Sequence, residues 1–467
     1  MKLLLHAFLF LIIAGQGHCQ GNQLSAELAL QLKDDPRHLG LYFPGAVTRF
    51  YSKNQFQPVW IKPQGGMGKT WQAMLMLDCV LQFGLAHADY HPYELSYDSL
   101  HIMLEEPAIL PVEAKARFEL VLTDAVITFM NHLHYGKYNP DYTPELLDAG
   151  HDLPFLAEQK LSAAFREQDF MSAVLDVQPK NKAYKALQEY MRLVKGQYTG
   201  DCYETPESEV RLAAINMERL RWADLDVRPQ IQVNIPSYTL SLYEADSVYE
   251  FKVIVRKPDQ PTPTLQSAIG YFTTSPDWKV PQKIFIRELL PKALKETRYF
   301  ETHSYAVYDR NGAQVIINSV KLREISKNPT AYSLRQSSGC DNALGSVVFR
   351  FPNDFDIYLH DSPDQRLFDR HLRSLSHGCV RVQRATELAA LLLKYDGTPE
   401  RVNRMQNNTT RYLRENFKLE KPVPIQITYL TCGIRDGQLE RYKDIYHLDQ
   451  ILEDKLYNVR PRLALIN

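Results

Sequence analysis

The chain has 467 residues, a hydrophobic fraction of 45% and a formal net charge of -1. Its length exceeds that of one ordinary hydrophobic core and predicts two or three structural units. The balanced charge supplies no overall positive field, which argues against nucleic acid or an anionic membrane surface as a general partner.

The first residues have the layout of a secretory signal peptide. Lys2 precedes an apolar run from Leu3 to Ala14, and small and polar residues follow up to Gly21. We predict a signal peptide over residues 1–20 and localisation to the periplasm or cell envelope. No segment reaches the roughly 18 consecutive apolar residues that a spanning helix needs, so no transmembrane span is expected in the mature chain.

The cysteine pattern predicts neither a zinc site nor a compact disulfide framework. The six cysteines are widely scattered, at Cys19, Cys79, Cys202, Cys340, Cys379 and Cys432. Removal of Cys19 with the signal peptide leaves an odd number, so at least one thiol stays free or pairs between molecules. Lipid anchoring at Cys19 is not expected, because the three residues before it form a poor lipoprotein box. No metal or other cofactor is predicted.

Residues 23 to about 203 are predicted to be helical. Between Glu113 and Met130 the apolar residues recur at the three-and-four spacing of one helix face, and Thr123 and Asp124 are interpreted as a solvated or locally bonded polar edge. A second helix is predicted over residues 184–194. A stretch rich in Gly, Thr, Pro and Glu over residues 196–208 favours a domain border.

After Trp222 the sequence changes to a period-two pattern. Ile231, Val233 and Ile235 alternate with polar residues, and further short runs are separated by turn-like residues. We interpret these runs as a meandering antiparallel sheet rather than alternating parallel units. One helix is predicted from Arg384 to about Tyr395. The predicted fold class is α+β.

The candidate chemistry lies in the segment Ser376-His377-Gly378-Cys379-Val380-Arg381, with His360 nineteen positions before Cys379 at the end of a predicted strand. A nucleophilic cysteine needs a base or a positive neighbour, because a free thiol is mostly protonated at pH 7. Gly378 permits close backbone approach to a reacting carbonyl. Each residue also has an ordinary structural interpretation, since most cysteines in strand-rich domains are small buried residues.

The spacing from His360 to the sequence SHGCVR resembles the active-site signature of the L,D-transpeptidases of the YkuD type. The sequences NMERLRW at 216–222, PDWKVP at 276–281 and NALG at 342–345 resemble the large, scaffold-bearing branch of that family. Similar features in the N-terminal half include NQFQPVW at 54–60 and LTDA at 122–125. The resemblance covers nearly the whole mature chain.

The resemblance implies an exported enzyme that cross-links peptidoglycan through a Cys379 thioester. It implies that Cys379 attacks the third residue of a tetrapeptide stem and expels the terminal D-alanine, and that a second stem's amine then resolves the thioester into a 3-3 cross-link. His360 is the implied base, oriented by the carbonyl of Asp361, and Gly378 and Cys379 supply the implied oxyanion hole. His377 would line the site. The implied substrate-binding residues are Tyr358, Arg381, Ser376 and Asn342.

Peptidoglycan stem peptides are the implied substrates, carbapenems the implied inhibitors, and cell-wall synthesis proteins candidate partners. The resemblance divides the chain into a signal peptide at 1–20, a helical scaffold at 23–215 and a β-rich catalytic domain at 216–467, with a capping subdomain at 282–334. The peptidoglycan-binding module usual in this branch has no room before residue 216. Cys340 stands where a proline is commoner, and is interpreted as a silent loop cysteine or as a redox partner of Cys379.

Two other functions stay open from sequence alone. An L,D-carboxypeptidase would use the same thioester with water as its acceptor. A non-catalytic cell-wall scaffolding protein would leave Cys379 idle, with an unperturbed pKa of about 8.5, whereas a poised nucleophile would react well below that pH.

Overall fold

The computed structural model describes residues 23–33, 36–61, 68–105, 109–195, 207–223, 230–244, 247–376 and 378–457. The chain divides into two compact units. The helical unit comprises Met1–Asp226, Thr431–Arg441 and Leu448–Asn467, and the sheet unit comprises Val227–Leu430 and Tyr442–His447. The predicted α+β class is confirmed, with a helical N-terminal region before a β-rich one. No helix among the described residues is both long and apolar enough to cross a bilayer. The predicted signal peptide lies outside the described residues.

The helical unit consists of eleven α-helices and one hairpin among its described residues. The helices are α1 (23–33), α2 (Pro44–Lys53), α3 (Gly68–Asp78), α4 (Tyr97–Glu105), α5 (Val112–His134), α6 (Pro144–Ala149), α7 (Ala157–Ala164), α8 (Phe170–Leu175), α9 (Lys182–Lys195), α10 (Glu207–Arg221) and, at its C-terminal end, α17 (Leu448–Tyr457). The hairpin strands are β14 (Cys432–Arg435) and β15 (Gln438–Arg441). Short 3-10 helices occupy Pro36–Leu39, Val80–Phe83 and His87–Asp89.

Helix α5 forms the centre of the helical unit and is longer than the 113–130 segment predicted. It is buried on nearly all sides rather than on one face, and Thr123 and Asp124 are both fully buried. A solvated edge is therefore wrong for both residues, whereas Thr123 is locally bonded, since its hydroxyl donates to the carbonyl of Glu119 at 2.8 Å. They are stable in the core because partners satisfy them: the hydroxyl of Tyr51 lies 2.9 Å from Thr123 Oγ1, and Asp124 accepts the backbone N–H groups of Tyr42 and Phe43.

Helix α10 crosses the domain border predicted at residues 215 and 216. The whole helix belongs to the helical unit, together with the segment that begins at Thr431. The Asn216 side chain accepts from the Thr431 N–H at 2.7 Å and donates to the Thr431 hydroxyl at 3.0 Å, and Arg219 pairs with Asp449 at 2.5 Å. These contacts join residues more than 200 positions apart, which is why the sequence pattern gave no sign of them.

The sheet unit contains a nine-stranded sheet and a four-stranded sheet. Its strands are β1 (Gln230–Asn234), β2 (Thr239–Glu244), β3 (Ser247–Arg256), β4 (Leu265–Thr274), β5 (Trp278–Lys279), β6 (Tyr305–Tyr308), β7 (Gln314–Val315), β8 (Ser333–Gln336), β9 (Val347–Arg350), β10 (Leu359–His360), β11 (Ser374–Ser376), β12 (Val380–Val382) and β13 (Glu415–Thr428). Its helices are α11 (Gln282–Ile284), a π-turn (Phe285–Leu289), α12 (Leu290–Lys295), α13 (Tyr299–Thr302), α14 (Ser319–Lys327), α15 (Ala385–Tyr395) and α16 (Arg401–Thr410), with 3-10 turns at Pro329–Ala331 and Gln365–Asp369.

The nine-stranded sheet has the order β11-β3-β12-β10-β9-β4-β13-β1-β2 and closes because β2 also pairs with β3. The prediction of an antiparallel meander is only partly right. The β1–β2–β3 meander is antiparallel, but β1 pairs with β13, β10 with β12, and β11 with β3 in parallel. Alternating residues reveal a strand but not its partner, so these long-range pairings were not accessible from the pattern.

The two faces of this sheet differ sharply along one line that crosses six strands. Extending the observed ladders by one or two residues aligns Arg256, Cys379, Tyr358, Arg350, Tyr271 and Lys418, which we call the polar row. The neighbouring residues on the opposite face are all fully buried: Val255, Val380, Leu359, Phe349, Phe272 and Phe417. Because strand side chains alternate between faces, the apolar row forms part of the core and fixes the direction of the polar row.

Helices α15 and α16 pack against the sheet through β9, β13 and β4. The predicted helix from Arg384 to Tyr395 is confirmed as α15, whose buried face includes Leu388 and Leu392. Residues 278–336 form the four-stranded sheet, in the order β5-β8-β6-β7, with helices α11–α14 around a small apolar core. This insertion covers the predicted capping subdomain, whose capping role remains a prediction.

Candidate active site

Cys379 and His360 lie on neighbouring strands of the nine-stranded sheet. Strands β10 and β12 run parallel with Leu359 opposite Val380 and His360 opposite Arg381. Residues directly opposite each other point to the same side, and so do residues two apart on one strand. Tyr358, His360, Cys379 and Arg381 therefore share one face of the sheet. Cys379 is opposite Tyr358 and is the diagonal neighbour of His360.

The Cys379 thiol is partly exposed, and three neighbours act on its charge. Its sulfur lies 4.0 Å from the carbonyl oxygen of Asp356. Burial raises the pKa of the thiol, and hydrogen bonds from Tyr358 together with the charges of Arg256 and Arg350 oppose that rise without cancelling it. The resting thiol is therefore protonated at neutral pH, whereas a poised nucleophile was expected to react well below pH 8.5.

The His360 imidazole is buried and electrically neutral at neutral pH. Its Nδ1 donates to the backbone carbonyl of Asp361 at 2.6 Å, the orientation that the family resemblance implies. Burial, with the charge of Arg381, lowers the pKa of His360 to about 3, although hydrogen bonds to the carbonyls of Asp361 and Leu344 oppose the shift. A neutral imidazole has one N–H, so only the protonated ring can donate to both carbonyls.

No hydrogen bond joins the Cys379 sulfur to the His360 ring in the described part of the chain. The Nδ1 atom of the ring instead bonds to the carbonyl of Asp361, and a backbone hydrogen bond with Leu344 also acts on the pKa of the ring. The resting pair is thus a neutral thiol beside a neutral imidazole. Transfer of the thiol proton to His360 requires a rotation of one of the two side chains, which their shared face and diagonal placement permit.

The turn before Cys379 is fixed by side chains rather than being free to bind substrate. The Ser376 hydroxyl is buried and donates to the carbonyl of Cys379 at 2.8 Å, and Arg256 donates through Nε to the carbonyl of Gly378. Ser376 was predicted to bind substrate, but its hydroxyl is occupied in shaping the turn. Gly378 precedes the nucleophile as expected. His377 lies outside the described residues.

Asn342 was also predicted to bind substrate, and the structure places it elsewhere. Its side chain is fully buried, donates to the carbonyls of Ser337 and Pro276, and accepts the N–H of Leu344 at 2.9 Å. The polar atoms of the side chain are therefore committed to its own loop and to the carbonyl of Pro276. Because the carbonyl of Leu344 bonds to His360, Asn342 positions the imidazole indirectly.

Gly345 allows this loop to approach the histidine strand. Its φ of +63° lies in the left-handed region, and a Cβ there would stand 2.5 Å from the Cβ of Asp361. The Asp361 carboxylate accepts the N–H of Ser346 at 2.9 Å. The NALG sequence thus holds the loop against β10.

Arg381 stands opposite His360 and is largely buried. Burial lowers the pKa of its guanidinium, and its Nε has no hydrogen-bond partner among the described residues. Tyr358 lies in the site as predicted. Its hydroxyl hydrogen-bonds Cys379 and the Trp278 side chain, and burial together with Cys379 raises the pKa of the phenol.

Sequence reasoning missed three residues of this site: Arg256, Arg350 and Trp278. Trp278 belongs to the PDWKVP sequence that carried part of the resemblance, so a signal existed, although it gave no role. No sequence pattern indicated that Arg256 and Arg350 belong to the site. They reach the site only because β3 and β9 pair beside β12 and β10.

A half-exposed cysteine after a glycine, beside a buried histidine on the next strand, is the arrangement of a cysteine-dependent acyl-transfer site. Residues 228–411 match the family of the L,D-transpeptidase catalytic domain, named YkuD, and residues 45–191 match the Scaffold domain. The chain therefore contains a YkuD-type L,D-transpeptidase catalytic domain preceded by a Scaffold domain.

A relative from Haemophilus influenzae carries the printed name "Putative L,D-transpeptidase". It is 35% identical over 240 residues, which cover 51% of this chain and 48% of the relative. The chain thus spans about half the length of the curated relative it matches.

Proposed function

We propose that this protein is an L,D-transpeptidase that forms 3-3 cross-links between peptidoglycan stem peptides through a thioester at Cys379. The observation that carries the proposal is the placement of Cys379 and His360 on one face of neighbouring strands, inside the region that matches the catalytic domain. The donor is a tetrapeptide stem, and the leaving group is its terminal D-alanine.

In the first half-reaction the Cys379 sulfur attacks the carbonyl carbon of the third residue as His360 takes the thiol proton. Hydrogen bonds with the Asp361 and Leu344 carbonyls favour the imidazolium that forms and oppose the effect of burial and of Arg381, which outweighs them in the resting site. The amide C–N bond then breaks, and His360 returns the proton to the departing D-alanine amine. A thioester and free D-alanine are the products.

The tetrahedral intermediate carries a negative charge that the site can stabilise. The backbone N–H groups of Gly378 and Cys379 are the candidate donors, and the Arg256 hydrogen bond to the Gly378 carbonyl holds this turn in place. In the second half-reaction a side-chain amine of another stem attacks the thioester, loses a proton to His360 and releases the Cys379 thiol.

The direct experiment uses disaccharide tetrapeptides as donor and acceptor, with products separated by mass spectrometry. We expect 3-3 linked dimers from the wild type and none from Cys379→Ala. Cys340→Ala is the matched control, since this cysteine is also free and exposed. Tripeptide monomers without dimers would indicate the carboxypeptidase, and unchanged tetrapeptides would indicate the non-catalytic scaffolding protein.

Inhibition and export are separate parts of the proposal. A carbapenem should acylate Cys379 and add its mass to the intact protein, and Cys379→Ala should gain no such mass. Cell fractionation should place the protein in the periplasm or cell envelope, with a mature N-terminus near residue 20. Crosslinking in cells would test cell-wall synthesis proteins as partners.

A further inference from the structure

Three guanidinium groups lie near Cys379, and none of them forms a close ion pair. Within the described residues, Arg256, Arg350 and Arg381 make no ion pair with a carboxylate, although all three lie on the face of the sheet that carries Cys379. Some other arginines of the sheet unit do have such partners, among them Arg384 with Glu387, Arg404 with Glu415 and Arg414 with Asp277. The charge of Asp364 acts on Arg381, so the positive charge of the site is only partly balanced by the protein.

Like charges held together repel each other, and an anionic ligand that binds between them removes that cost. The three arginines are not equally available to such a ligand. Arg256 is committed to the carbonyl of Gly378, and Arg381 has a carboxylate near it, that of Asp364. Arg350 is partly exposed and donates no hydrogen bond in the described structure.

Arg350 is also held in place by an aromatic neighbour. Its guanidinium carbon lies over the Tyr358 ring, 4.9 Å from the ring centre. This contact uses none of the guanidinium N–H groups as donors to a protein oxygen, and a guanidinium can form a paired hydrogen bond with a planar carboxylate.

The distance between Arg350 and the nucleophile fits a group close to the scissile amide. Two strand spacings separate Arg350 from Cys379 in the polar row, with Tyr358 between them, which places their Cα atoms roughly 10 Å apart. The long arginine side chain shortens this gap. A carboxylate one or two residues from the attacked carbonyl would reach it.

We propose that Arg350 recognises a carboxylate of the donor peptide and makes the site selective for donors in which that group is free rather than amidated. This inference rests on the proposed function, because it names the part of the donor peptide that the site recognises. The carboxylate belongs either to the terminal residue that leaves or to a residue before it, and the chemistry of recognition is the same in both cases.

The test measures binding of tetrapeptides to the Cys379→Ala protein, which cannot turn them over. Three peptides are compared: the free acid, the C-terminal amide, and a peptide amidated at its internal carboxylates. We expect one amide to bind roughly 10- to 100-fold more weakly than the free acid, as for loss of a charge-assisted hydrogen bond. The peptide that loses affinity identifies which carboxylate Arg350 holds.

The same measurement is made with Arg350→Gln added to Cys379→Ala. We expect this variant to bind acid and amides equally, while Arg350→Lys recovers part of the difference because it keeps the charge but not the fork of N–H groups. Arg401→Gln is the control, because Arg401 stacks on Phe417 of the opposite face at 5.3 Å. It should keep the full preference of the parent.

In the active protein, Arg350→Gln should raise KM for the acid donor by a similar factor and change kcat much less. Equal binding of the three peptides to Cys379→Ala, or binding of none of them, would overturn the role of Arg350. Absence of cross-linked product from the wild type would instead overturn the proposed function, so the two failures are distinguishable.

Discussion

The helical unit and the sheet unit treat buried charge in opposite ways. In the helical unit, Glu119 is fully buried and accepts hydrogen bonds from the backbone N–H groups of Val59, Trp60 and Ile61 and from the Tyr51 hydroxyl. In the sheet unit, the arginines around Cys379 have no carboxylate partner among the described residues. A charge whose partners are all internal serves the fold, whereas a charge without partners is available to a ligand.

Polar groups thus serve the structure in the helical unit and are available for function in the sheet unit. This difference can be tested by experiment. Substitutions at satisfied groups should lower stability and leave the chemistry of the site alone. Substitutions in the polar row should change the chemistry and leave stability nearly intact.

Cys379→Ala should show the largest effect of all, on activity alone. We expect cross-linking to fall at least about 1000-fold, because no other group can form the thioester. The melting temperature should stay close to that of the wild type, since the side chain is partly exposed. A large loss of stability in this variant would show that Cys379 serves the structure, which would contradict the proposed difference between the two units.

Glu119→Ala should show the opposite pattern, a large loss of stability without a direct effect on the chemistry of the site. Three backbone N–H groups and the Tyr51 hydroxyl would lose their acceptor inside the core, which should lower the free energy of unfolding by about 3 kcal/mol or more. Denaturant titration measures this change. Glu113→Ala, on the exposed part of the same helix, is the control and should change stability by less than about 0.5 kcal/mol.

Acid should destabilise both units through buried histidines, among which His132 and His360 have the most strongly lowered pKa values of the described residues. Burial lowers the pKa of His132 in the helical unit and of His360 in the sheet unit to about 3, from an ordinary value of 6.5. The unfolded chain binds these protons first, so the stability that is present above pH 6.5 is lost as the pH falls towards 3.

His132→Gln and His360→Gln should each reduce this pH dependence, by up to about 1.4 kcal/mol per pH unit within that window. Unfolding measured from pH 7 to pH 4 would show it. An unchanged slope in either variant would mean that the histidine concerned is not neutral in the folded protein.

Arg256→Gln should have the smallest effect of these substitutions, and the titration of the thiol should show it. Removing this positive charge should raise the pKa of Cys379 further, so the curve of alkylation rate against pH should move to higher pH. Arg401→Gln should leave the curve in place. A shift to lower pH would show that Arg256 acts on the turn rather than on the thiolate.

The sequence predicted the features of this protein that depend on local pattern. The helical character of the N-terminal half follows from apolar residues that recur every 3.6 residues, and the β-rich character of the C-terminal half follows from a period of two residues. Helix α15 follows from the spacing of the apolar residues before Tyr395. Cys379 and His360 were found from residue types, a glycine and a strand end. Their assignment as nucleophile and base remains a prediction that the variants above test.

The features that sequence reasoning did not reach depend on pairing between distant segments. Arg256 and Arg350 join the site through the ladders of β3 and β9, and Asn342 is buried by its own loop rather than turned to substrate. The raised pKa of Cys379 has the same origin, because burial is a property of the folded chain. Residue type suggested that charge would control the thiol, but desolvation outweighs it.

Strand β10 has only two residues, Leu359 and His360, and their register against the neighbouring strands decides which of them faces the site and which faces the core. A slip of one position against its neighbours would turn the imidazole into the phenylalanine-lined interior and expose a leucine in its place. Anyone transplanting the site into another scaffold must therefore carry over the neighbouring strands, since the two residues alone do not encode which way they face.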